Sequence, residues 1–555
     1  MVDVLKSVRD RYSEIEIASY YDEGYWQPTS FYDLAAAQAE ATPDAPFLVD
    51  ATICLSYAEF AEQVVRLAAG LARAGLQRGE RIAVQLPNWV EFPVIAAAAS
   101  RLGAILVPIM PIYRGDEVGY VLQHSGASFA VTCGDFRGFD HAAMFAELRS
   151  DAPELRELFV ARADASGDGT GRPLAELFVA GDLGELEAEL GPDSSPDDPF
   201  LIVYTSGTTS RPKGCFHTFN TIRASAAAIA KSLDYTAADV QFGPSPITHS
   251  TGLVTSVLLP LLAGAKSYLM EAWDPAAGLD IIKEHACTAA VTATPFLQML
   301  MGAYDPERHD ASSLRLWVCA GSPIPGSVVE ASRELFAGCQ TLSLYGRSEN
   351  FLTTMCTVRD DASRSATSDG SALDGAQVQI VDSAGREVPR GEEGDIAYRG
   401  PSHMIEYFHN DEETAALFTP DGFSRSGDLG RMDGSGFVRV TGRLKDIVIR
   451  GGMNISAREL EEHLLAHPDI ANVAVVGMPD ERLGEKVCVY VVPTSPDRLV
   501  VLDEITSYLR EHEVATQKLP ERVEIVDSLP MTATGKVQKH LLRADIAAKL
   551  ESANG

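Results

Sequence analysis

The stretch Val203-Tyr-Thr-Ser-Gly-Thr-Thr-Ser-Arg-Pro-Lys-Gly214 decides how the rest of this chain is interpreted. It follows the apolar run Phe200-Leu-Ile-Val203, which predicts a buried strand that ends in a turn. A run of hydroxyl and glycine residues cannot form a core, but its N–H groups and hydroxyls can bind a polyanion. The Walker A pattern is absent, and such a run alone is more typical of a solvated turn. If the run does bind a polyanion, the candidate residues are Thr205, Ser206, Gly207, Thr208, Thr209 and Lys213.

The length and the charge of the chain limit the classes of protein to which it can belong. Its 555 residues exceed what one hydrophobic core usually supports, so we expect two or more domains. A formal net charge of −32 argues against a general nucleic-acid-binding protein and against binding to an anionic membrane surface. An acidic protein that binds an anion needs local positive charge, for which Lys213, Arg443 and Lys536 are candidates.

The cysteines and the apolar segments indicate a cellular compartment. The eight cysteines are scattered, without a C-x-x-C pair or a metal-binding spacing, which favours free and mostly buried thiols in a reducing cytosol. Residues 1–10 lack the apolar segment of a signal peptide. The apolar stretch 251–265 is too short to span a bilayer, and Pro260 interrupts it. We therefore predict a soluble, cytoplasmic protein with no membrane span.

Helical and strand-like patterns alternate along the first part of the chain. Residues 60–73 place apolar side chains at helical spacing, and a strand-like run follows at 81–86. The alternation continues in residues 91–108 and 224–321, which predicts α/β layers with parallel strands. Residues 162–198 are predicted to form a polar surface excursion.

The pattern changes after residue 375. Residues 375–442 contain strand-like runs separated by Gly- and Asp-containing turns, which predicts an antiparallel β subdomain. The mixed segment that follows is long enough to form its own domain. The predicted fold class is α/β, with a large N-terminal domain (residues 1–443) of layered α/β subdomains plus the antiparallel subdomain, and a small, mobile α+β C-terminal domain (residues 444–555).

Five segments, taken in order, resemble the adenylate-forming (ANL) superfamily, which includes AMP-dependent acyl-CoA synthetases, luciferase-like enzymes and peptide-synthetase adenylation domains. Any one segment could arise by chance, whereas five in this order over about residues 30–545 are specific. The segments are 204–214, Pro246-Ile-Thr-His249, Leu344-Tyr-Gly-Arg-Ser-Glu349, Ser426-Gly-Asp428 with Gly442-Arg-Leu-Lys-Asp446, and Pro530-Met-Thr-Ala-Thr-Gly-Lys536.

The resemblance implies an acid–thiol ligase in which a carboxylate attacks the α-phosphorus of ATP, forming acyl-AMP and pyrophosphate. Because two anions must meet in line, positioning and charge neutralisation dominate such catalysis. Tyr345 is expected to stack on adenine, Gly346 to permit a tight turn and Ser348 to bind phosphate. Glu349 is expected to hold Mg²⁺, which prefers oxygen ligands. Three more residues are expected at the nucleotide: Gly321, Ser322 and Pro323.

The resemblance assigns the ribose to Asp428, whose carboxylate can accept hydrogen bonds from both hydroxyls, with Arg443 assisting. An Asp in a Gly-rich turn is, in isolation, usually a turn former. Lys536 occupies the position of the family's lysine that bridges the incoming carboxylate and the α-phosphate. A flexible point charge suits two converging anions.

The resemblance also implies a second half-reaction, in which the thiol of CoA attacks acyl-AMP and releases AMP. Lys445 matches the hinge about which the family rotates its C-terminal domain. After this rotation Gly451 and Gly452 would face the active site and leave room for the pantetheine arm. A glycine-rich hairpin turn is the alternative interpretation of these two residues.

His249 matches a family position that often lines the acyl pocket, although a lone histidine is more often structural. No acidic residue occurs at 248–250 to bind a substrate ammonium group, which favours a plain carboxylic acid over an amino acid. His463 and His467 lack a third ligand, so we expect surface positions for them rather than zinc.

Four residues depart from the family pattern: Ser210, Phe219, Arg347 and Glu406. These departures put substrate choice and the efficiency of individual steps in question, but no charge essential to adenylation is missing. Residues 246–252, 320–325 and 371–375 look most like those of ligases for medium-chain, alicyclic or bulky polycyclic carboxylates.

The leading hypothesis is an acyl-CoA synthetase that uses ATP, Mg²⁺ and CoA, active as a monomer or homodimer. One alternative is an adenylating enzyme that transfers the acyl group to a carrier protein or a partner enzyme. Another is a non-catalytic relative that binds a nucleotide or an acyl group, against which the presence of Glu349, Asp428 and Lys536 argues.

Overall fold

The structure is a computed structural model that describes residues 5–163, 170–205, 211–321, 324–495, 498–531 and 536–554. Local sequence signals explain where its helices begin. Helix Tyr57–Arg73, for example, starts after Ser56, whose hydroxyl accepts a hydrogen bond from the N–H of Glu59, while the Glu59 carboxylate accepts one from the N–H of Ser56. Its apolar side chains then recur at helical spacing and are buried.

The first sheet has eight strands, of which the inner ones run parallel and the two edge strands antiparallel. Its central strands are apolar and fully buried, as expected when helices cover both faces of a parallel sheet. In spatial order the strands are Thr354–Met355, Gln340–Tyr345, Leu316–Ala320, Ala289–Thr292, Val240–Gly243, Lys266–Leu269, Pro46–Val49 and Cys54–Ser56.

The second sheet also has eight strands, parallel except at the end that carries Gly214–Thr218. The predicted strand that leads into the hydroxyl-rich loop is its strand Pro199–Tyr204. In spatial order the strands are Glu406–Tyr407, Gly214–Thr218, Pro199–Tyr204, Ile105–Pro108, Arg81–Gln85, Phe129–Cys133, Glu157–Ala161 and Arg172–Pro173.

Helices of the large domain cover these two sheets, and the largest apolar cluster contains residues of both sheets and of the helices between them. A π-helical turn, Leu253–Leu258, connects two short helices beside the first sheet. The helices are Val8–Arg11, Glu14–Asp22, Phe31–Ala41, Tyr57–Arg73, Glu91–Leu102, Gly115–Ser125, His141–Leu148, Leu183–Leu190, Phe219–Ser232, Ser250–Gly252, Leu259–Ala263, Pro275–His285, Thr294–Ala303, Gly326–Leu335, Arg364–Thr367 and Asp411–Ala416.

The third sheet is antiparallel, as predicted for residues 375–442, and its strands are Gln377–Val381, Glu393–Arg399, Ser424–Met432 and Val438–Arg443. The 3₁₀ turn Leu444–Asp446 leads from its last strand into the fourth sheet. That sheet consists of Met453–Ser456, Ile447–Arg450, Gly484–Pro493, Ile470–Asp480 and Arg522–Ile525. Helices Ala457–Leu465, Leu502–Glu511 and Lys539–Asn554 complete the small domain.

The predicted fold class is confirmed: a large N-terminal domain and a small C-terminal domain of mixed α/β structure. The domain boundary after Arg443 stays a prediction. Two local predictions are wrong. Within the predicted polar excursion at 162–198, residues 164–169 lie outside the described part of the chain. The rest is not simply polar surface, because helix Leu183–Leu190 packs the buried Leu186 against Tyr57–Arg73. His467 is buried beside Tyr508 rather than exposed.

The predictions also included free, mostly buried cysteines and no membrane-spanning segment. All eight cysteines are free thiols, and Cys54 alone is exposed. Among the described helices, none combines the length and the apolar character needed to cross a membrane.

Phe219, one of the departures from the family pattern, lies in the core and not at the site. Its ring stacks on Phe31 at 5.5 Å between centroids and meets Phe200 edge-on at 5.9 Å. Only 2% of Phe219 is exposed. A ring that is buried and in contact with two other rings contributes to the packing of the large domain.

We expect Phe219→Ala to lower the free energy of unfolding of the large domain by about 3–5 kcal/mol, because a buried ring is replaced by a cavity. Denaturant titration followed by tryptophan fluorescence measures the change. Phe219→Leu is the control, and its expected loss is about 1 kcal/mol. Equal stability of the alanine variant and the parent would contradict the packing role.

Candidate active site

A cavity of about 600 Å³ lies where the carboxyl ends of strands from both large sheets meet the third sheet and the small domain. Ligands of parallel α/β sheets bind at this edge because the loops after the strands converge there. Thr205 follows one strand, Gly321 a second, and residues 346–349 a third. Asp428 of the third sheet and Lys536 of the small domain complete the wall.

The structure brings most of the predicted site residues together. Those that line this cavity are Thr205, Lys213, His249, Gly321, Gly346, Ser348, Glu349, Asp428, Arg443, Lys445 and Lys536. Tyr345 lines an adjoining cavity of about 230 Å³ that shares Asp428 and Lys536 with the first. The predictions for Ser206, Gly207, Thr208, Thr209, Ser210, Ser322 and Pro323 concern residues outside the described part of the chain.

Gly451 and Gly452 line neither of these two cavities. They form the turn between strands Ile447–Arg450 and Met453–Ser456, with φ angles of 59° and 84° that favour glycine. The structure therefore shows the turn that the alternative interpretation gives to these residues. Their approach to the active site stays a prediction that requires domain rotation.

The base of the hydroxyl-rich loop is closed by two hydrogen bonds. The N–H of Thr205 donates to the carbonyl of Lys213 at 2.9 Å, and the N–H of Lys213 donates to Oγ1 of Thr205 at 3.2 Å. The Lys213 ammonium pairs with Glu413 at 2.6 Å and lies 4.7 Å from the centre of the Tyr407 ring. A bound polyphosphate could take the place of Glu413 as the partner of Lys213.

Glu349 borders the cavity beside this loop. Tyr407 donates a hydrogen bond to its Oε1 at 2.5 Å, and burial together with the Glu349 charge raises the pKa of Tyr407. A carboxylate offers up to four lone-pair positions, so this bond leaves capacity for a hard cation. A carboxylate that lines the cavity and keeps free lone pairs fits a Mg²⁺ ligand.

Asp428 accepts hydrogen bonds on both carboxylate oxygens. The hydroxyl of Tyr345 donates to Oδ2 at 2.7 Å, and Nε of Arg443 donates to Oδ1 at 2.9 Å. Asp428 itself is 8% exposed, so these contacts set its orientation. The carboxylate is fixed at the rim of the cavity, and its remaining lone pairs suit a diol such as ribose.

Lys536 reaches into the cavity from the small domain. A Cβ atom at Gly321 would lie 3.7 Å from Cε of Lys536, so the lysine passes directly over the turn that follows strand Leu316–Ala320. Burial and the positive charge of Arg443 lower the pKa of Lys536 to about 8, although Asp428 and Glu349 oppose the shift. A bound anion would favour the charged form and raise this pKa again.

His249 lines the cavity near Lys536. Its Nδ1 accepts a hydrogen bond from the N–H of Thr251 at 3.3 Å, and burial lowers its pKa to about 3. The ring is therefore neutral near pH 7, with its proton on Nε2. Such a ring can donate a hydrogen bond to a bound ligand, but it does not exchange protons as an acid–base catalyst near neutral pH.

Two departures from the family pattern lie near the cavity and have structural partners. Arg347 donates to the carbonyls of Arg425 at 2.7 Å and Ser424 at 3.1 Å, which joins the turn after strand Gln340–Tyr345 to the third sheet. Glu406 pairs with Lys6 at 2.5 Å. Glu406 is therefore paired with an opposite charge, whereas the Arg347 guanidinium is held by neutral oxygen acceptors.

Two residues that hold the site, His217 and Tyr407, are not among those predicted from the sequence. His217 hydrogen-bonds the carbonyl of Ser348 through Nε2 at 2.8 Å, and burial lowers the pKa of His217 to about 3. Tyr407 is the second, through its bond to Glu349. A histidine within an otherwise apolar strand, Gly214–Thr218, is a signal that could have identified His217. No local signal marks Tyr407.

Comparison with known proteins agrees with this geometry. A family model described as "AMP-binding enzyme" matches residues 35–408, and one described as "AMP-binding enzyme C-terminal domain" matches residues 459–536. The chain belongs to the AMP-binding enzyme family. The resemblance to the adenylate-forming superfamily is thereby confirmed, and the protein is an AMP-forming ligase.

Individual relatives differ in their reactions. A medium-chain fatty-acid–CoA ligase of Escherichia coli is 35% identical over 97% of this chain and 94% of its own. A 2,3-dihydroxybenzoate-AMP ligase of Bacillus subtilis is 31% identical over 96% of both chains. The crystal structure of ATP-bound MatB from Rhodopseudomonas palustris is 27% identical, with a TM-score of 0.80 over 93% of this chain and 98% of its own.

Because the pKa of Lys536 is lowered to about 8, we expect the rate of acyl-AMP formation to depend on pH near that value. If charged Lys536 is needed for adenylation, acyl-AMP formation at subsaturating ATP falls as pH rises through about 8, well below the ordinary lysine range. At saturating ATP the fall moves to higher pH, because the bound phosphates stabilise the ammonium. Pyrophosphate release in the absence of any thiol measures the profile.

Lys536→Arg is the control for this titration, because a guanidinium stays charged over the whole range. Its residual activity is expected to stay level through the pH at which the parent declines. The same decline in both proteins would assign the titration to another group.

Proposed function

We propose that the protein activates a carboxylic acid with ATP and Mg²⁺ and transfers the acyl group to CoA. The observation that carries this proposal is the convergence of Lys536, Glu349 and Asp428 on one cavity, although they lie on two domains and are distant in sequence. This arrangement supports adenylation because it supplies an ammonium for two anions, a carboxylate for a metal and an acceptor for ribose.

In the first half-reaction a carboxylate oxygen of the acid attacks the α-phosphorus, the bond to the bridging oxygen breaks, and pyrophosphate leaves. Lys536 would lie between the attacking carboxylate and the α-phosphate and reduce their repulsion. Lys213 would exchange Glu413 for the β- and γ-phosphates. Mg²⁺ held by Glu349 would neutralise charge on the leaving phosphates.

In the second half-reaction the thiolate of CoA attacks the acyl carbon, and AMP leaves with the electrons of the mixed anhydride bond. The hairpin with Gly451 and Gly452 must approach the cavity for this step. Lys445 lies in the 3₁₀ turn between the third and fourth sheets, where a few backbone angles can reorient the whole small domain. This geometry supports Lys445 as the hinge.

The acid is proposed to be a medium-chain, alicyclic or bulky polycyclic carboxylate. Apolar side chains line part of the cavity, among them Ile229, Val254, Val291 and Phe351. Apolar walls favour an apolar acyl group. The neutral His249 ring adds one hydrogen-bond donor and no charge that would hold a substrate ammonium.

An ATP–pyrophosphate exchange screen over aliphatic, aromatic, alicyclic and polycyclic acids tests the proposal. Exchange is expected with bulky or medium-chain acids and not with amino acids. CoA-dependent release of AMP then separates an acyl-CoA synthetase from an enzyme that needs a carrier protein. Background exchange with every acid would refute the proposed function.

Lys536→Ala is expected to reduce acyl-AMP formation at least about a hundredfold, because two anions lose their shared cation. Transfer from preformed acyl-AMP to CoA should stay near the parent rate, since Lys536 leaves the cavity when the domain rotates. Single-turnover assays of each half-reaction measure both rates.

Lys486→Ala is the matched control, because Lys486 pairs with Asp480 on the surface of the same domain. It is expected to leave both half-reactions unchanged. Equal losses in both half-reactions for Lys536→Ala would contradict the assignment of this lysine to the first step alone.

A further inference from the structure

Helix Ala457–Leu465 of the small domain rests against the third sheet through four charged residues, two from each domain. The large domain supplies Asp369 and Arg439, and the small domain supplies Arg458 and Glu462. We call these four residues the interdomain charge ring. None of them occurs in the motifs that identified the active site.

The charges alternate around the ring. Oε1 of Glu462 accepts from Nη2 of Arg439 at 2.8 Å and from Nε of Arg458 at 2.9 Å. Oδ2 of Asp369 lies 3.8 Å from Nη1 of Arg439 and 3.7 Å from Nη2 of Arg458. Each arginine therefore faces both acids, and each acid faces both arginines.

Burial makes these contacts significant. Asp369 is 4% exposed and Arg458 is 8% exposed. Asp369 is also held by the N–H of Val440, which donates to its Oδ2 at 2.8 Å. Water screens charges poorly at such positions. The side chains of Arg439 and Glu462 are partly exposed, 24% and 34%, and their contact gains strength from the two buried charges beside it.

The ring can open without leaving an isolated buried charge. When the small domain leaves, Asp369 keeps Arg439 on the large domain, and Glu462 keeps Arg458 one turn away on its own helix. Removing one partner of a buried ion pair is normally costly because an unpaired charge remains. Here the two charged residues on each domain neutralise each other. The contact between the domains can therefore form and separate in every catalytic cycle.

The ring lies beside the catalytic cavity. Asp369 and Arg458 line the adjoining cavity of about 230 Å³ together with Asp428 and Lys536. Lys536 belongs to the same small domain as Arg458 and Glu462, so the orientation that closes the ring also places the lysine over Gly321. Closure of the ring and insertion of Lys536 are therefore two results of one domain position.

We propose that Glu462, through its bond to Arg439, is a positioning residue that selects the adenylation orientation of the small domain. This inference rests on the proposed function, since it assumes two half-reactions in two orientations. Loss of the bond shifts the population away from the orientation in which Lys536 reaches the cavity. Adenylation slows, whereas transfer to the thiol does not.

Glu462→Gln tests this with little change of shape. The rate of ATP–pyrophosphate exchange, with the acid that the parent activates best, is expected to fall about tenfold, the effect of losing one charge-assisted hydrogen bond. The rate of transfer from the preformed acyl-AMP to CoA is expected to be unchanged or higher. A purely structural defect would lower both rates together.

A double-mutant cycle shows whether the ring acts as a unit. Arg439→Ala alone and Arg439→Ala with Glu462→Gln should each reduce exchange about as much as Glu462→Gln alone, because the same interdomain bond is lost in all three. Additive losses would mean that the two residues act separately, and the proposal would be wrong.

Glu459→Gln is the matched control on the same helix. Glu459 pairs with Lys518 inside the small domain at 2.6 Å, so its loss removes an ion pair without touching the interface. Both half-reactions should remain at the parent rate. If Glu462→Gln behaves like this control while the parent shows exchange, the ring has no positioning role and the proposed function stands. If the parent shows no exchange with any acid, both proposals fail.

Discussion

A carboxylate and a polyphosphate repel each other, and the arrangement of charged groups in this ligase must offset that repulsion. The chain carries a net charge of −32, so positive groups must be concentrated where the two anions meet. Lys213, Arg443 and Lys536 border the same cavity. Lys213 is paired with Glu413 and Arg443 with Asp428, so neither cation is left without an opposite charge. In the proposed reaction the phosphates replace Glu413 as the partner of Lys213.

The cavity is complete only because two domains contribute to it. The large domain supplies the strand ends with Thr205, Gly346 and Glu349, and the small domain supplies Lys536. Enclosure by both domains lowers the pKa of Lys536 to about 8, the result expected for an ammonium removed from water beside another cation. The charged residues at this interface are neutralised by partners within their own domain. The contact between the two domains can therefore be reversible. A hydrophobic interface of the same size would hold the domains together more permanently.

Much of the site could be predicted because polar residues at the ends of parallel strands converge at one edge of a sheet. Thr205 follows a predicted strand, Ser348 and Glu349 follow the strand Gln340–Tyr345, and the structure places all three residues at that edge. His217 and Tyr407 could not be assigned a role in this way. Their partners, Ser348 and Glu349, lie 131 and 58 residues away in sequence, and nothing local specifies the pairing.

The sequence by itself determined the α/β class, the antiparallel third sheet, the principal strands and helices, and the family. These follow from periodicity, capping residues and short motifs, which act over a few residues. Tertiary structure alone decided that Phe219 is core, that Arg347 joins a turn to the third sheet, and that Leu186 of helix Leu183–Leu190 and His467 are buried. It also decided the pKa of Lys536 and the pairing of Asp369, Arg439, Arg458 and Glu462. Desolvation and charge pairing depend on what surrounds a group in space, and residues far apart in the chain provide those surroundings.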